Sequence, residues 1–187
     1  MCWAGLDRAH RMHKAGFLPS LTLDLDAARA RAAQALLNAT KDGSLRNGPK
    51  DDTYDASLAQ AAILGFPNRD VCETTMQSIA RALAVQAGGK ETGFYFRYLR
   101  TDDFGRPQSS FVICSFWVVQ GLARLGRMAE AQQIMAQVLT GANHLGLFSE
   151  HFVPETRTQL GNFPQAYSHV GLINAAFAVS PSWTTVL

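Results

Sequence analysis

The run at 110–125, SFVICSFWVVQGLARL, sets the terms for the whole chain. It is long enough for four helical turns and is apolar on nearly all sides. A helix of that kind has no face to give to water, so it must be enclosed by other elements. Gly126 ends it, and residues 128–139, MAEAQQIMAQVL, then repeat apolar residues at helical spacing on one side only. A fully buried helix followed through a short turn by a half-buried one reads as an inner helix paired with an outer one.

The remaining segments supply the enclosure. Residues 2–14 place Trp3, Leu6, Ala9, His10 and His13 at helical spacing, and Gly16 stops the run. Residues 23–40 are rich in Ala, Leu and Arg, with Asp24 or Asp26 as N-cap. A turn-rich loop at 41–50 precedes a predicted helix at 51–64, which Gly65-Phe66-Pro67 terminates. Asp70 is the expected cap of a helix reaching about Gln86. Residues 92–99, TGFYFRYL, are the one strand-like run, and Pro164 opens a final helix to about Ala178. About seven helices with short connections predict an all-α fold of antiparallel hairpins in a single domain over 1–187. No repeat consensus of the tetratricopeptide kind is visible.

Charge and cysteines narrow the function. A net charge of +2, with no Lys/Arg cluster, offers no stripe for nucleic acid and no patch for anionic lipid. No run approaches 18 uninterrupted apolar residues, so no membrane span is expected. Cys2, Cys72 and Cys114 are far apart and odd in number, which fits a cytoplasmic setting. Hydrophobic residues make up 47% and charged residues 17%, an apolar balance that points to a large core or to a surface covered by a partner. The chain opens directly on an apolar helix with no polar leader, which is read as a sign of truncation.

The residues that could carry chemistry gather in 146–172, GLFSEHFVPETRTQLGNFPQAYSHVGL. Glu150 stands between Leu147-Phe148 and His151-Phe152. A carboxylate in such an apolar collar could act as a general base toward water, or it could simply begin an exposed loop. Arg97 could fork hydrogen bonds onto a polar ligand, or pair with Asp102 or Asp103. Trp117 and Tyr167 could stack on a ligand ring and Gln165 and His169 could bond its polar groups; each could instead be a packing residue. Asn162 and Gly161 read as loop formers. His10 and His13 lack a third metal ligand nearby, so no metal and no cofactor are expected. No nucleophile-elbow Ser and no phosphate-binding Gly loop are present, and Cys114 lies in an apolar run as inert core.

Several of these segments carry a resemblance. Ser149-Glu150 in GLFSEH, then Pro154-Glu155-Thr156 and the run LGNFPQAYSHVGLI at 160–173, resemble glycoside hydrolase family 15, the glucoamylases and their bacterial trehalase relatives. Asp55-Ala56-Ser57, Arg97-Tyr98 and Cys114-Ser115-Phe116-Trp117 resemble the family in the same order. The resemblance reaches from Trp3 to about Ala178 and implies the C-terminal part of the catalytic domain, an incomplete (α/α)6 barrel. It implies inverting hydrolysis of α-glucosidic bonds, of the trehalose or maltooligosaccharide type, with Glu150 as general base. Such chemistry uses two carboxyl groups roughly 6.5–9.5 Å apart, one protonating the leaving oxygen and one activating water. The family's general acid lies in a Trp-Glu motif just before the helix matched by residues 1–14, and no residue here occupies it. The chain alone is therefore expected to be inactive, to work with a missing N-terminal half, or to self-associate as a homo-oligomer. His151 and Val153 depart from the family pattern, which leaves the preferred sugar open. The competing reading is a non-catalytic helical module that binds sugar or a protein; a third reading comes from the family, in which phosphorylase kinase regulatory subunits carry related domains without hydrolysis.

Overall fold

A computed structural model describes residues 1–19, 22–103 and 105–182. Seven α-helices and seven short strands follow one another in this part of the chain. The first helix, α1 (Cys2–Lys14), buries Trp3, Ala4, Asp7 and His10, a stripe at helical spacing. Trp3 meets the ring of Phe66 edge-on at 5.2 Å. Beside it lies α2 (Leu25–Asn38), which Asp24 caps by accepting from the Ala27 N–H at 2.9 Å. The buried Asp7 carboxylate joins the two helices: its Oδ1 accepts from Arg29 Nη1 at 3.0 Å, while Oδ2 forms an ion pair, without hydrogen-bond geometry, with Arg11 of α1 at 2.9 Å.

An Asp-Gly turn follows. Asp42 and Gly43 both take positive φ (52° and 75°), which lets β1 (Thr40–Lys41) double back on β2 (Ser44–Leu45). The helix expected over 51–64 is much shorter. Asp51 accepts from the Thr53 N–H at 2.9 Å and from its hydroxyl at 2.5 Å, which holds the chain extended. Helical structure begins only after Asp55, with a 3-10 turn (Ala56–Ala59) running into α3 (Gln60–Ile63).

The next helix, α4 (Arg69–Leu83), is capped by Asn68 rather than Asp70. It stops three residues short of the expected Gln86 because β3 (Ala84–Ala87) turns at Gly88-Gly89 and pairs with β4 (Lys90–Tyr95). The strand predicted over 92–99 thus ends at Tyr95.

The centre is α5 (Val112–Arg124). Val112, Ile113, Cys114, Phe116, Val118 and Val119 are all buried, as the apolar run demands. Its outer companion is α6 (Met128–Leu139), which buries Ala131, Met135 and Val138. The last helix, α7 (Ala166–Val179), lies against α5 and also touches α6, where Gln132 Nε2 donates to the Val179 carbonyl at 3.2 Å. Tyr167 faces Trp117, and a Cβ added at Gly171 would meet Ile113 at 2.4 Å and Phe116 at 3.1 Å. The enclosed α5 with the half-buried α6 beside it is the inner-and-outer pair read from 110–139. Before α5, β5 (Ser110–Phe111) pairs with β6 (His151–Val153), and β6 with β7 (Thr158–Leu160). This three-stranded sheet sits at the N-terminal end of α5.

Candidate active site

The loop that presents Glu150 is built from its own hydrogen bonds. Asn143 Oδ1 accepts from the N–H groups of Leu145 and Leu147, both at 2.9 Å. Gln159 Nε2 reaches the carbonyls of Gly141 and Leu147. Phe148 and Ser149 are then pinned to the start of α7. Gln165 N–H donates to the Phe148 carbonyl at 2.9 Å, and Ser168 Oγ to the Ser149 carbonyl at 2.8 Å. Phe148 is buried against Phe116. A segment tied at this many points holds a side chain in place without help from a ligand.

Glu150 is half-buried. Its carbonyl accepts from the Val112 N–H, the first residue of α5, at 3.0 Å, and its N–H donates to the Asn162 carbonyl at 2.9 Å. Its carboxylate Oε2 accepts twice from Asn162, from the backbone N–H at 3.1 Å and from Nδ2 at 3.0 Å. Among the described residues, no hydrogen bond reaches Oε1. Gly161, at φ 77°, lies directly over this carboxylate: a Cβ there would stand 2.7 Å from Oε2. Asn162 and Gly161 therefore do more than form a loop. Sequence reading missed this because the β6–β7 hairpin is what carries them back across twelve residues.

Arg97 pairs with Asp55, not with Asp102 or Asp103. Its Nε donates to both carboxylate oxygens, at 3.3 and 3.2 Å. Asp102 instead takes the hydroxyl of Tyr98. The Arg97 side chain is 46% exposed while Asp55 is buried, so the guanidinium is anchored at Nε by a partner in the interior.

Of the other candidates, Gln165 and His169 are bonded to Phe148 in the loop that carries Glu150. Trp117 is half-buried on α5, and its ring meets exposed Tyr167 edge-on at 6.1 Å. Gln165 is half-buried at the N-cap of α7. His169 has both ring nitrogens engaged with the main chain: Nδ1 with the Gln165 carbonyl at 2.8 Å, and Nε2 with the Phe148 N–H at 3.4 Å. Those partners require the neutral tautomer with the proton on Nδ1. His151, which departs from the family pattern, belongs to the sheet: it stacks on Phe111 at 5.0 Å, with Nδ1 beside the Ser110 carbonyl.

One cleft elsewhere is separate from these residues. A cleft of about 370 Å³ between α4, β4, α5 and α6 is lined by Tyr95, Arg81 and Arg127, and by none of the six candidate residues. Among the described residues, no group of His, Cys, Asp and Glu side chains could hold a metal ion. No helix among them is long and apolar enough to cross a membrane.

Residues 123–177, which contain Glu150, match the model of the glycosyl hydrolases family 15. The trehalase of Mycolicibacterium smegmatis is 33% identical over 184 residues, which is 96% of this chain and 27% of that protein. The trehalase of Thermoplasma acidophilum is 38% identical over 125 residues, 65% of this chain and 20% of that one. The chain thus spans less than a third of the length of these trehalases. A solved glycosidase superposes with a TM-score of 0.66 at 20% identity, covering 83% of this chain and 44% of its own. A glycosidase variant solved in complex with glucose gives the same values. The all-α fold of incomplete (α/α) barrel type expected from the sequence is the observed one.

Proposed function

We propose, from the premise that this chain is a relative of the family 15 glycosyl hydrolases, that it carries the base half of an inverting α-glucosidase site, with Glu150 as general base. Its relatedness to trehalases supports a glycosidase role. The observation that carries the finer reading is the Glu150 carboxylate itself, held on one oxygen and open on the other. A general base needs a fixed position and a free lone pair aimed at water. Water attacks the anomeric carbon, the bond to the leaving oxygen breaks with its electron pair, and the proton of water passes to Glu150.

The proposed substrate is an α-glucoside, trehalose first because the relatives are trehalases, with maltooligosaccharides as the next class. Arg97 would donate from its terminal nitrogens to sugar hydroxyls, with Trp117 and Tyr167 as the apolar wall. Gln165 would bond a hydroxyl. His169, also proposed at the sugar, would act chiefly by fixing Phe148. The whole of 1–187 is taken as one domain, a part of the barrel. Cytoplasmic placement, from three unpaired cysteines, belongs to the same proposal. No residue of the chain is assigned the acid that would protonate a glucosidic oxygen.

That gap chooses the substrate for the test. In α-D-glucosyl fluoride the leaving group departs as fluoride and needs no proton, so a site with a base alone can turn it over. Fluoride release with β-glucose as first product is the expected result, reduced at least 100-fold in Glu150→Gln. Equal rates for the two proteins would defeat the reading. Glucose release from trehalose and maltotriose, run beside it, reports whether an acid is also supplied.

A second reading rests on α7. Tyr167, Val170 and Ile173 are 48%, 51% and 54% exposed on one face of that helix. Such a stripe favours self-association, in which a second copy covers the helix and the module binds rather than hydrolyses.

A further inference from the structure

We infer that Asn162 is a positioning residue for Glu150, and that it divides the carboxylate into a held oxygen, Oε2, and a working oxygen, Oε1. The inference rests on the proposed role of Glu150 as base.

Three hydrogen bonds join Glu150 and Asn162. Two are made by the backbone groups of Asn162, its carbonyl and its N–H, and the third by its side-chain amide. The hairpin does not need the third. Its strands already pair through His151 and Leu160, Phe152 and Gln159, and Val153 and Thr158. The Nδ2 donor adds nothing to that pairing and is aimed at the carboxylate alone. Gly161 makes the approach feasible, since any side chain at that position would occupy the space of Oε2.

Two N–H donors on one oxygen occupy its lone pairs and draw off charge. An oxygen so engaged is the poorer proton acceptor. Among the described residues Oε1 accepts no hydrogen bond, so its lone pairs are left for the attacking water. In the reaction the water oxygen bonds to the anomeric carbon, the leaving group takes the electron pair of the breaking bond, and the water proton goes to Oε1. Glu150 then returns that proton to solvent. Without the side-chain amide Oε2 keeps only the backbone N–H of Asn162, so the carboxylate is held less firmly and the distinction between its two oxygens weakens.

The test uses the full chain, α-D-glucosyl fluoride and sodium azide. Asn162→Ala is expected to lower kcat 10- to 100-fold with KM within twofold. Azide attacks the anomeric carbon without a base, so it should restore turnover of Asn162→Ala to within a fewfold of wild type, with glucosyl azide as product. A variant that is merely misfolded would not respond to azide. Wild-type kcat in Asn162→Ala, or a loss carried by KM that azide leaves untouched, overturns the inference. A second readout needs no turnover. The side-chain amide resonances of Asn162 should move in Glu150→Gln, and their staying in place overturns the contact itself. A wild-type chain no faster than Glu150→Gln is a different failure, that of the proposed function, and the amide resonances still decide whether Asn162 holds the carboxylate.

Discussion

Arg97 Nε donates to both carboxylate oxygens of Asp55, at 3.3 and 3.2 Å, across 42 residues of chain. Asp55 is 4% exposed and does three things at once. It anchors the guanidinium, it caps the 3-10 turn by accepting from the Ser57 N–H at 2.9 Å, and it places the Ala56 N–H 2.8 Å from the Arg97 carbonyl. Asn can serve as a cap but cannot carry the charge. Asp55→Asn should therefore stay within about 1 kcal/mol of wild-type stability in urea unfolding, as expected when only a charge-assisted bond to a half-exposed partner is weakened. Asp55→Ala loses the cap as well and should fall by about 2–3 kcal/mol. Both should weaken trehalose binding several-fold in calorimetry. Equal unfolding midpoints for the two variants would remove the cap from the account.

Gly161→Ala tests the approach over Glu150. Its φ of 77° imposes a backbone cost of about 1–2 kcal/mol on any residue with a Cβ. The added methyl would also stand 2.7 Å from Oε2, so the carboxylate must leave Asn162. Gly146 is the control, with the same φ of 77° and nothing within 4 Å of an added Cβ. Both alanine variants should lose stability, Gly161→Ala the more because of its contact with Glu150. Only Gly161→Ala should lose glucosyl fluoride hydrolysis, by tenfold or more. A parallel loss in Gly146→Ala would show that loop strain, not the Glu150 contact, is being read.

What the sequence revealed and what it concealed divide by distance along the chain. Residues 2–14 and 128–139 read correctly because each has an apolar face and a glycine stop or turn at its boundary, all local features. Residues 84–86 read as helix, yet β4 recruits them into a hairpin, so a tertiary partner overrides local preference. The strand expected to reach Leu99 is cut at Tyr95, with Arg97 bound at its main chain and side chain to 55–56. Glu150 was visible because a dipeptide and an apolar collar mark it. Asp55 as the anchor of Arg97, and Asn162 as the partner of Glu150, were not, because each contact exists only once strands and loops have folded back.

Three buried acids predict a loss of stability in alkali. Burial pushes the Cys72 thiol up to about 11 and the Tyr95 phenol up to about 12, and moves the Cys114 thiol further in the same direction. Each group holds its proton longer in the folded chain than in the unfolded one. Between about pH 9 and 11 the native state therefore binds more protons, and stability falls as pH rises. The loss is about 1.4 kcal/mol per pH unit for each group once the unfolded form has ionised. Urea unfolding at pH 8, 9, 10 and 11 measures it. Cys72→Ala should flatten the decline by about one group's share, whereas an unchanged slope would assign the alkaline loss to other residues.

The exposed stripe of α7 sets the last prediction. Its inner face is fixed by Gly171 against Ile113 and Phe116, so α7 cannot rotate to hide Val170 and Ile173 without breaking that contact. The side chains that remain outside are those a second copy would cover. Light scattering of the wild-type chain should show an association that grows with protein concentration. Ile173→Asp puts a charge into the middle of the stripe, where desolvating it would cost several kcal/mol in a closed interface. Because Ile173 is already 54% exposed in the single chain, the substitution should leave the unfolding midpoint at low concentration nearly unchanged. The expected pair of results is therefore a monomer with unaltered stability. A wild-type chain that scatters as a monomer at high concentration would remove self-association from the reading, and a destabilised Ile173→Asp monomer would show that Ile173 supports its own fold.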